Sequence, residues 1–222
     1  LLPPTVDTFS VQGSLTNDAA EELGLKAGIK IAYRAGDQPN NALSLNVLEP
    51  GQIAATAGTS GVVYGIAEEP NYDAQSRVNT FIHVNNAQDQ TRLGVLLCLN
   101  GAGILNSWLK HNIAGDLDYE TMNALAQKAP IDCDGLVVLP YGNGAERTLE
   151  NRDIGASVHG LKFNTHNREH LLRAGQQGIV FAINYGLEIM KDMAVEINTI
   201  RAGNANMFLS PLFCQAFANV TG

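Results

Sequence analysis

Chemistry in this chain gathers around the stretch Ile53-Ala-Ala-Thr-Ala-Gly58-Thr59-Ser60-Gly61-Val-Val-Tyr-Gly65. Two short apolar runs flank a turn bounded by glycines, the pattern of a β-hairpin. The turn carries no bulky side chain, so its backbone N–H groups and the hydroxyls of Thr59 and Ser60 can approach an anion closely. Sixteen residues before Ile53 stands Asp37, in Ala35-Gly36-Asp37-Gln38. A carboxylate shortly before a hydroxyl-rich anion loop suits phosphoryl transfer, with a base and a phosphate cradle in sequence. Without further support the same residues read as a surface hairpin after an ordinary loop.

Two more small-residue turns have the same character, Gly101-Ala102-Gly103 and Ala202-Gly203-Asn204-Ala205-Asn206. Both precede helical patterns, where unpaired N–H groups and the helix dipole favour phosphate or carbonyl oxygens. There is no Gly-x-x-x-x-Gly-Lys-Ser/Thr, no Gly-x-Ser-x-Gly elbow and no His-Arg-Asp motif. His166-Asn167-Arg168-Glu169-His170 matches an inverted zinc-protease pattern, but no third ligand stands out, and a capped, solvated helix start accounts for it better. His83, His111 and His159 are isolated and read as surface or satisfied core residues. Glu146-Arg147 reads either as an ion pair fixing a long loop or as a contact to a neighbouring domain. Asn219-Val220-Thr221 fits a glycosylation sequon with nothing else pointing to secretion.

The elements that must position these residues follow from periodicity and punctuation. Leu1 to Ser14 reads as extended, held open by Pro3-Pro4. Thr16 caps a helix from Asn17 to Leu23 that Gly24 ends. Ile29 to Tyr33 is a strand, and Pro39 sits in the first turn of a helix reaching Leu43 and Leu45. Strands follow at Thr80–Val84 and Leu93–Cys98. A helix then carries Ile104, Leu105, Trp108 and Leu109 as an apolar stripe. A helix over Tyr119–Ala129 and a short buried strand at Leu136–Leu139 come next. The longest helix falls within Asn167–Ile197, with Leu171, Leu172, Ile179, Ala182, Ile183, Leu187, Met190 and Ala194 inward. Gly175, Gly178 and Gly186 lower its helix propensity, which predicts close approach of another backbone. A strand at Ile197–Ile200 and a helix over Met207–Val220 complete a mixed β-sheet flanked by helices, an α/β fold.

Composition bounds the partners. The 222 residues are 45% apolar and 16% charged, with 22 glycines, which is a globular composition. The net charge of -8 argues against nucleic acid but not against a nucleotide held by helix N-termini and Mg²⁺. No apolar run reaches the ~18 residues of a membrane span. Cys98, Cys133 and Cys214 are odd in number and far apart, and read as buried free thiols of a reducing cytoplasm. The chain has no initiator Met and stops just after a helix-like segment, so the expectation is a piece of something longer.

In order along nearly the whole chain, these pieces resemble the FGGY carbohydrate kinases, most closely the pentulose kinases. The resemblance rests on Gly36-Asp37-Gln38, Ala57 to Tyr64, and Asn100-Gly101-Ala102-Gly103 with Trp108-Leu109. It continues through Leu139-Pro140-Tyr141 with Gly144 to Arg147, and Gly160-Leu161 with His166, Arg168 and His170-Leu171. It ends at Gly203 to Asn206 with Ser210-Pro211-Leu212-Phe213 and Gln215. The resemblance implies two actin-like ATPase (ribonuclease H-like) domains with sugar and ATP between them. Residues 1–50 would be the end of the sugar-binding domain, and 51–222 most of the nucleotide-binding domain. It further implies that Asp37 is the general base and that Gly58, Thr59 and Ser60 form the phosphate loop. Gly103 with Ser107, or Asn106 one place earlier, would touch the nucleotide at a helix start. Gly203 and Asn206 would belong to the adenosine motif, whose usual glycine run is here Arg201-Ala-Gly-Asn-Ala-Asn206, so those contacts can slip by one or two positions. ATP and Mg²⁺ are the implied cofactors, and a small sugar the partner. No protein-held metal site is implied, and a homodimer is left open. A chain lacking most sugar-binding residues is expected to be inactive alone.

Overall fold

The computed structural model describes residues 5–222, so the extended reading of Leu1 to Ser14 is described only from Thr5 onward and Pro3-Pro4 lies outside it. In chain order the elements are β1 (Gly13–Ser14), α1 (Asn17–Leu23), β2 (Lys30–Ile31), α2 (Asp37–Ser44), β3 (Gly51–Ala57), β4 (Gly61–Ala67), β5 (Asn79–Ile82) and β6 (Leu93–Leu99). They continue with α3 (Ala102–Leu109), α4 (Tyr119–Ala126), β7 (Val137–Leu139), β8 (Ser157–His159), α5 (Arg168–Asp192), β9 (Ile197–Ala202) and α6 (Pro211–Thr221).

Five strands form the central sheet in the order β5-β6-β4-β3-β9. Neighbours are antiparallel except β3 and β9, which run parallel. Strand alternation divides the core in two. Ile53, Ala55, Ala57, Val63, Val95, Leu97 and Leu99 pack with α3 to α6 on one face. Ala54, Tyr64 and Ile66 face the other way, against Ala42 of α2 and Val47. Because β3 and β4 are covered on both faces, they read in sequence as continuous apolar runs rather than alternating ones.

Helix ends follow their chemistry. Thr16 caps α1, accepting the Ala19 N–H, and Gly24 closes it in the left-handed conformation, as the sequence predicts. At α5 the Asn167 side chain accepts the Glu169 and His170 N–H groups, while His170 Nδ1 accepts the Asn167 N–H, a capping box. The three α5 glycines mark close approach, as expected, but of different kinds. A Cβ on Gly178 would overlap the Val138 carbonyl, whereas at Gly175 and Gly186 it would meet the side chains of Leu109 and Leu97.

Several expectations are corrected. Of the stripe on α3, Leu105 and Leu109 face the core, while Ile104 and Trp108 are exposed, because they lie one step round the helix. After Leu109 the chain continues through a π turn, Lys110–Ala114, which no residue pattern signals. The strand expected at Ile29–Tyr33 is two exposed residues paired with β1. In β7 Val138 is buried but Val137 is exposed. Ala194 is not on the inner face of α5: it is exposed, beyond the helix end, in the left-handed region. The final helix breaks at Ser210 into a 3₁₀ turn, Asn206–Leu209, and α6. Cys133 is buried, but Cys98 and Cys214 are only half-buried.

A pair the sequence leaves isolated anchors the sheet. Buried His83 lies with Nδ1 3.0 Å from the Tyr64 hydroxyl and Nε2 3.1 Å from the Val47 carbonyl. With Nε2 protonated, the ring donates to Val47 and accepts from Tyr64. Burial holds its pKa below the ordinary 6.5. The unfolded chain therefore takes up this proton at higher pH than the folded one. The stabilisation is complete above pH 6.5 and is lost as pH falls through the folded-state value. Denaturant midpoints followed from about pH 7.5 to about pH 5 should fall in the wild type and fall less in His83→Gln. The Asp73 carboxyl, held below its ordinary 3.8 by Arg77, loses its share only in a separate, more acid window.

Candidate functional site

The turn between β3 and β4 consists of Gly58, Thr59 and Ser60, with Ala57 opposite Gly61. Helix α3 starts directly against it. A Cβ on Gly103 would overlap the Gly58 carbonyl oxygen, and the Ile104 N–H donates to the Thr59 carbonyl at 3.3 Å. The third turn closes in from the end of β9, where a Cβ on Gly58 would stand 3.4 Å from Asn206 Nδ2. Asn206 itself adopts φ +53°, a backbone conformation that Asn tolerates better than most residues. Three turns separated by some 40 and 100 residues in sequence thus meet at one place.

Between them lies a cavity of about 890 Å³. Of the residues the sequence singled out, Gly58, Thr59, Gly103, Asn106, Ser107 and Asn206 line it. Ser60, Gly203 and Asp37 do not. Ser60 lies close enough to the Cys98 thiol to offset in part the upward push that burial gives that group. Gly203 lies on the α2 side, near the Leu45 side chain. Asp37 opens α2 on the exposed surface, its Oδ1 accepting the Gln38 N–H at 2.8 Å.

The far walls were missed by sequence reasoning. Glu120, Asn123, Ala124 and Gln127 contribute one face of α4, and Gln176 contributes from α5. Their spacing of three to four residues along α4 is the signal that could have found them. Ser210, Pro211 and Leu212 form the rim at the start of α6. That start is fixed by Phe208, packed edge-on against Phe213 and Phe217 with ring centroids 5.2 Å from each.

No Lys or Arg lines the cavity. An anion there would be met by backbone N–H groups, hydroxyls and amides. Two lining residues, Asn106 and Gln176, each carry a buried amide oxygen with no hydrogen-bond partner.

The family model for the FGGY family of carbohydrate kinases, C-terminal domain, matches residues 53–222. The chain belongs to this family. FGGY relatives include the xylulose kinase of Bacillus subtilis, 28% identical over 90% of this chain and 39% of its own length. The gluconokinase of the same species is 27% identical over 81% of this chain and 35% of its own length. Among solved structures, the xylulose kinase from Rhodospirillum rubrum superposes with a TM-score of 0.86 at 24% identity, over 99% of this chain and 43% of that one. Plasmodium falciparum glycerol kinase with ADP gives 0.80 at 23%, over 96% and 41%. These likenesses show the fold, the expected actin-like ATPase architecture. The chain spans about two fifths of the length of the relatives it matches.

Other motifs resolve as structure. His170 belongs to the α5 capping box and reaches Asp134 Oδ2 at 3.1 Å, and His166 accepts the Lys162 N–H. Among the described residues no group of three His, Cys, Asp or Glu is placed to hold a metal ion. Glu146 and Arg147 do not pair with each other, correcting the ion-pair reading. Buried Glu146 accepts the Asn100 and Thr148 N–H groups, while Arg147 donates to the Ser76 and Val78 carbonyls. No described helix is long and apolar enough to cross a membrane.

Proposed function

We propose that this chain supplies the ATP-binding half of a sugar kinase, whose whole reaction is ATP-dependent phosphorylation of D-xylulose to D-xylulose 5-phosphate. The observation that carries the reading is the convergence of three small-residue turns on one cavity of nucleotide size. The triphosphate lies against Gly58 and Thr59, the ribose near Asn106 and Ser107, and the base toward α4, α5 and Asn206. With no Lys or Arg in the lining, Mg²⁺ fits as the counter-charge, carried on the phosphates. When bound, it supplies charge neutralisation on the transferring phosphoryl group.

Asp37 takes the proton from the sugar hydroxyl as that oxygen attacks the γ-phosphorus and ADP leaves. Residues 1–50 are then the end of the sugar-binding domain and 51–222 the nucleotide domain, a division supported by the family match beginning at residue 53. Gluconokinase similarity of 27%, against 28% for xylulose kinase, supports a second reading in which the acceptor is gluconate or another polyol.

The test is ATP-dependent phosphorylation of D-xylulose, gluconate and glycerol by the chain alone and by a protein that also carries the preceding domain. The chain alone should stay near background, and the longer protein should turn over D-xylulose at about 1–100 per second. Turnover by the chain alone at the rate of a whole enzyme would refute the division of labour. A preference for gluconate or glycerol would replace the substrate and keep the reaction.

A further inference from the structure

We infer that the nucleotide domain carries the helix of the general base through a clasp on residues 46–49, and that Arg201 and Asn85 are positioning residues for phosphoryl transfer. The inference rests on the kinase reading above, with Asp37 as base, and deepens it. Four successive residues between α2 and β3 are each held by a side chain from residues 51–222. Arg201 of β9 donates to the Asn46 carbonyl, and His83 Nε2 to the Val47 carbonyl at 3.1 Å. Asn85 Nδ2 donates to the Leu48 carbonyl at 3.0 Å, and the Glu49 carboxylate pairs with buried Arg92 at 2.6 Å. Gln52 Oε1 accepts the Leu48 and Glu49 N–H groups at 2.9 and 3.1 Å. A connector free to bend leaves its backbone groups to water, whereas here they are bonded to the sheet and its loops.

The clasp links the two reacting ends. On one side β3 runs from Gly51 straight to the turn at Gly58 and Thr59, and Arg201 stands on β9 opposite Ala54 of β3. On the other side the last turn of α2 is seated on the same sheet. Ala42 and Val47 are buried with Ala54, Tyr64 and Ile66, and the Leu45 side chain lies 3.7 Å from the place of a Cβ on Gly203. The Arg201 charge also suits the carbonyl end of a helix. The eight residues of α2 span about 12 Å, so a tilt of about 5° at the clasp moves Asp37 by about 1 Å. A misplacement of about 1 Å at a reacting group can cost about 10²-fold in rate. Although α2 precedes the proposed domain boundary at residue 50, its aim at the phosphate is set from beyond that boundary.

The experiment is steady-state kinetics on a protein that also carries the preceding domain, with the sugar it phosphorylates fastest, alongside Mg-ATP titration and a thermal melt of each variant. Arg201→Ala should lower kcat by about tenfold or more. Mg-ATP affinity should stay unchanged, because Arg201 does not line the cavity. Arg201→Lys should recover most of kcat, since the contact uses one donor to one carbonyl and not a bidentate fork. Asn85→Ala, on a separate loop, should lower kcat in the same way, and it serves where Arg201→Ala melts early. A kcat within about twofold of wild type in both variants, or a loss of Mg-ATP affinity as large as the loss of kcat, would overturn the positioning role alone. Turnover that survives Asp37→Asn in the same assay would overturn the base reading, and this inference with it.

Discussion

Asp37→Asn, in a protein carrying both domains, is expected to lower kcat by about 10²–10⁴-fold while leaving Mg-ATP affinity unchanged. The substitution keeps the side chain's shape and the Oδ1 acceptor that holds the Gln38 N–H at the start of α2. The helix should therefore survive, and what disappears is the carboxylate that receives the sugar proton. The split between turnover and binding is the diagnostic part. Asp37 lies outside the cavity lined by the three turns, so a nucleotide held there does not depend on it. Steady-state kinetics alongside titration would check both halves. Turnover within about tenfold of wild type would mean that the base is another residue.

Gly103→Ala should come next in size. A methyl group at this position would occupy the space of the Gly58 carbonyl oxygen and come within 3.2 Å of Thr59 Cα. Neither is the far end of a flexible side chain, so the helix start and the turn must part. Overpacking of this kind costs about 1–3 kcal/mol. The displaced pieces are the two that would hold phosphate, so Mg-ATP affinity should drop by roughly tenfold or more. A thermal melt separates this local effect from global unfolding. Full nucleotide affinity with an unchanged melt would show that the turn and α3 need not meet.

How much of this could be read from sequence depends on how local each signal is. The cap at Thr16, the stop at Gly24 and the β3–β4 hairpin are set by neighbours a few residues apart, and all three were legible. The glycines of α5 announced close packing, but only at Gly178 is the partner a backbone atom, which depends on where β7 lands. Ile104 and Trp108 misled because spacing gives a face and not its neighbour, and this face of α3 turns to the cavity and solvent. The turns at Gly58 and Gly103 were found by residue type, since small residues are what a close approach requires. Gln176 and Asn123 were not found, because an amide in a helix is ordinary until tertiary packing buries it beside a cavity. The roles of Glu146 and Arg147 failed for the same reason: adjacent opposite charges suggested a pair, while each side chain bonds backbone groups from distant loops.

The central claim is that a nucleotide's phosphates rest on the β3–β4 turn at Gly58 and Thr59, and calorimetric titration with Mg-ATP tests it most directly. Thr59→Val is the comparison to run alongside, since it removes one hydroxyl from the cavity wall and keeps the branched shape and the carbonyl that receives the Ile104 N–H. The account predicts saturable one-to-one binding to the wild type and about tenfold or greater weakening in the variant, the loss of a hydrogen bond to a charged group. Binding of equal strength in both proteins, or no binding even when the preceding domain is present, would contradict it.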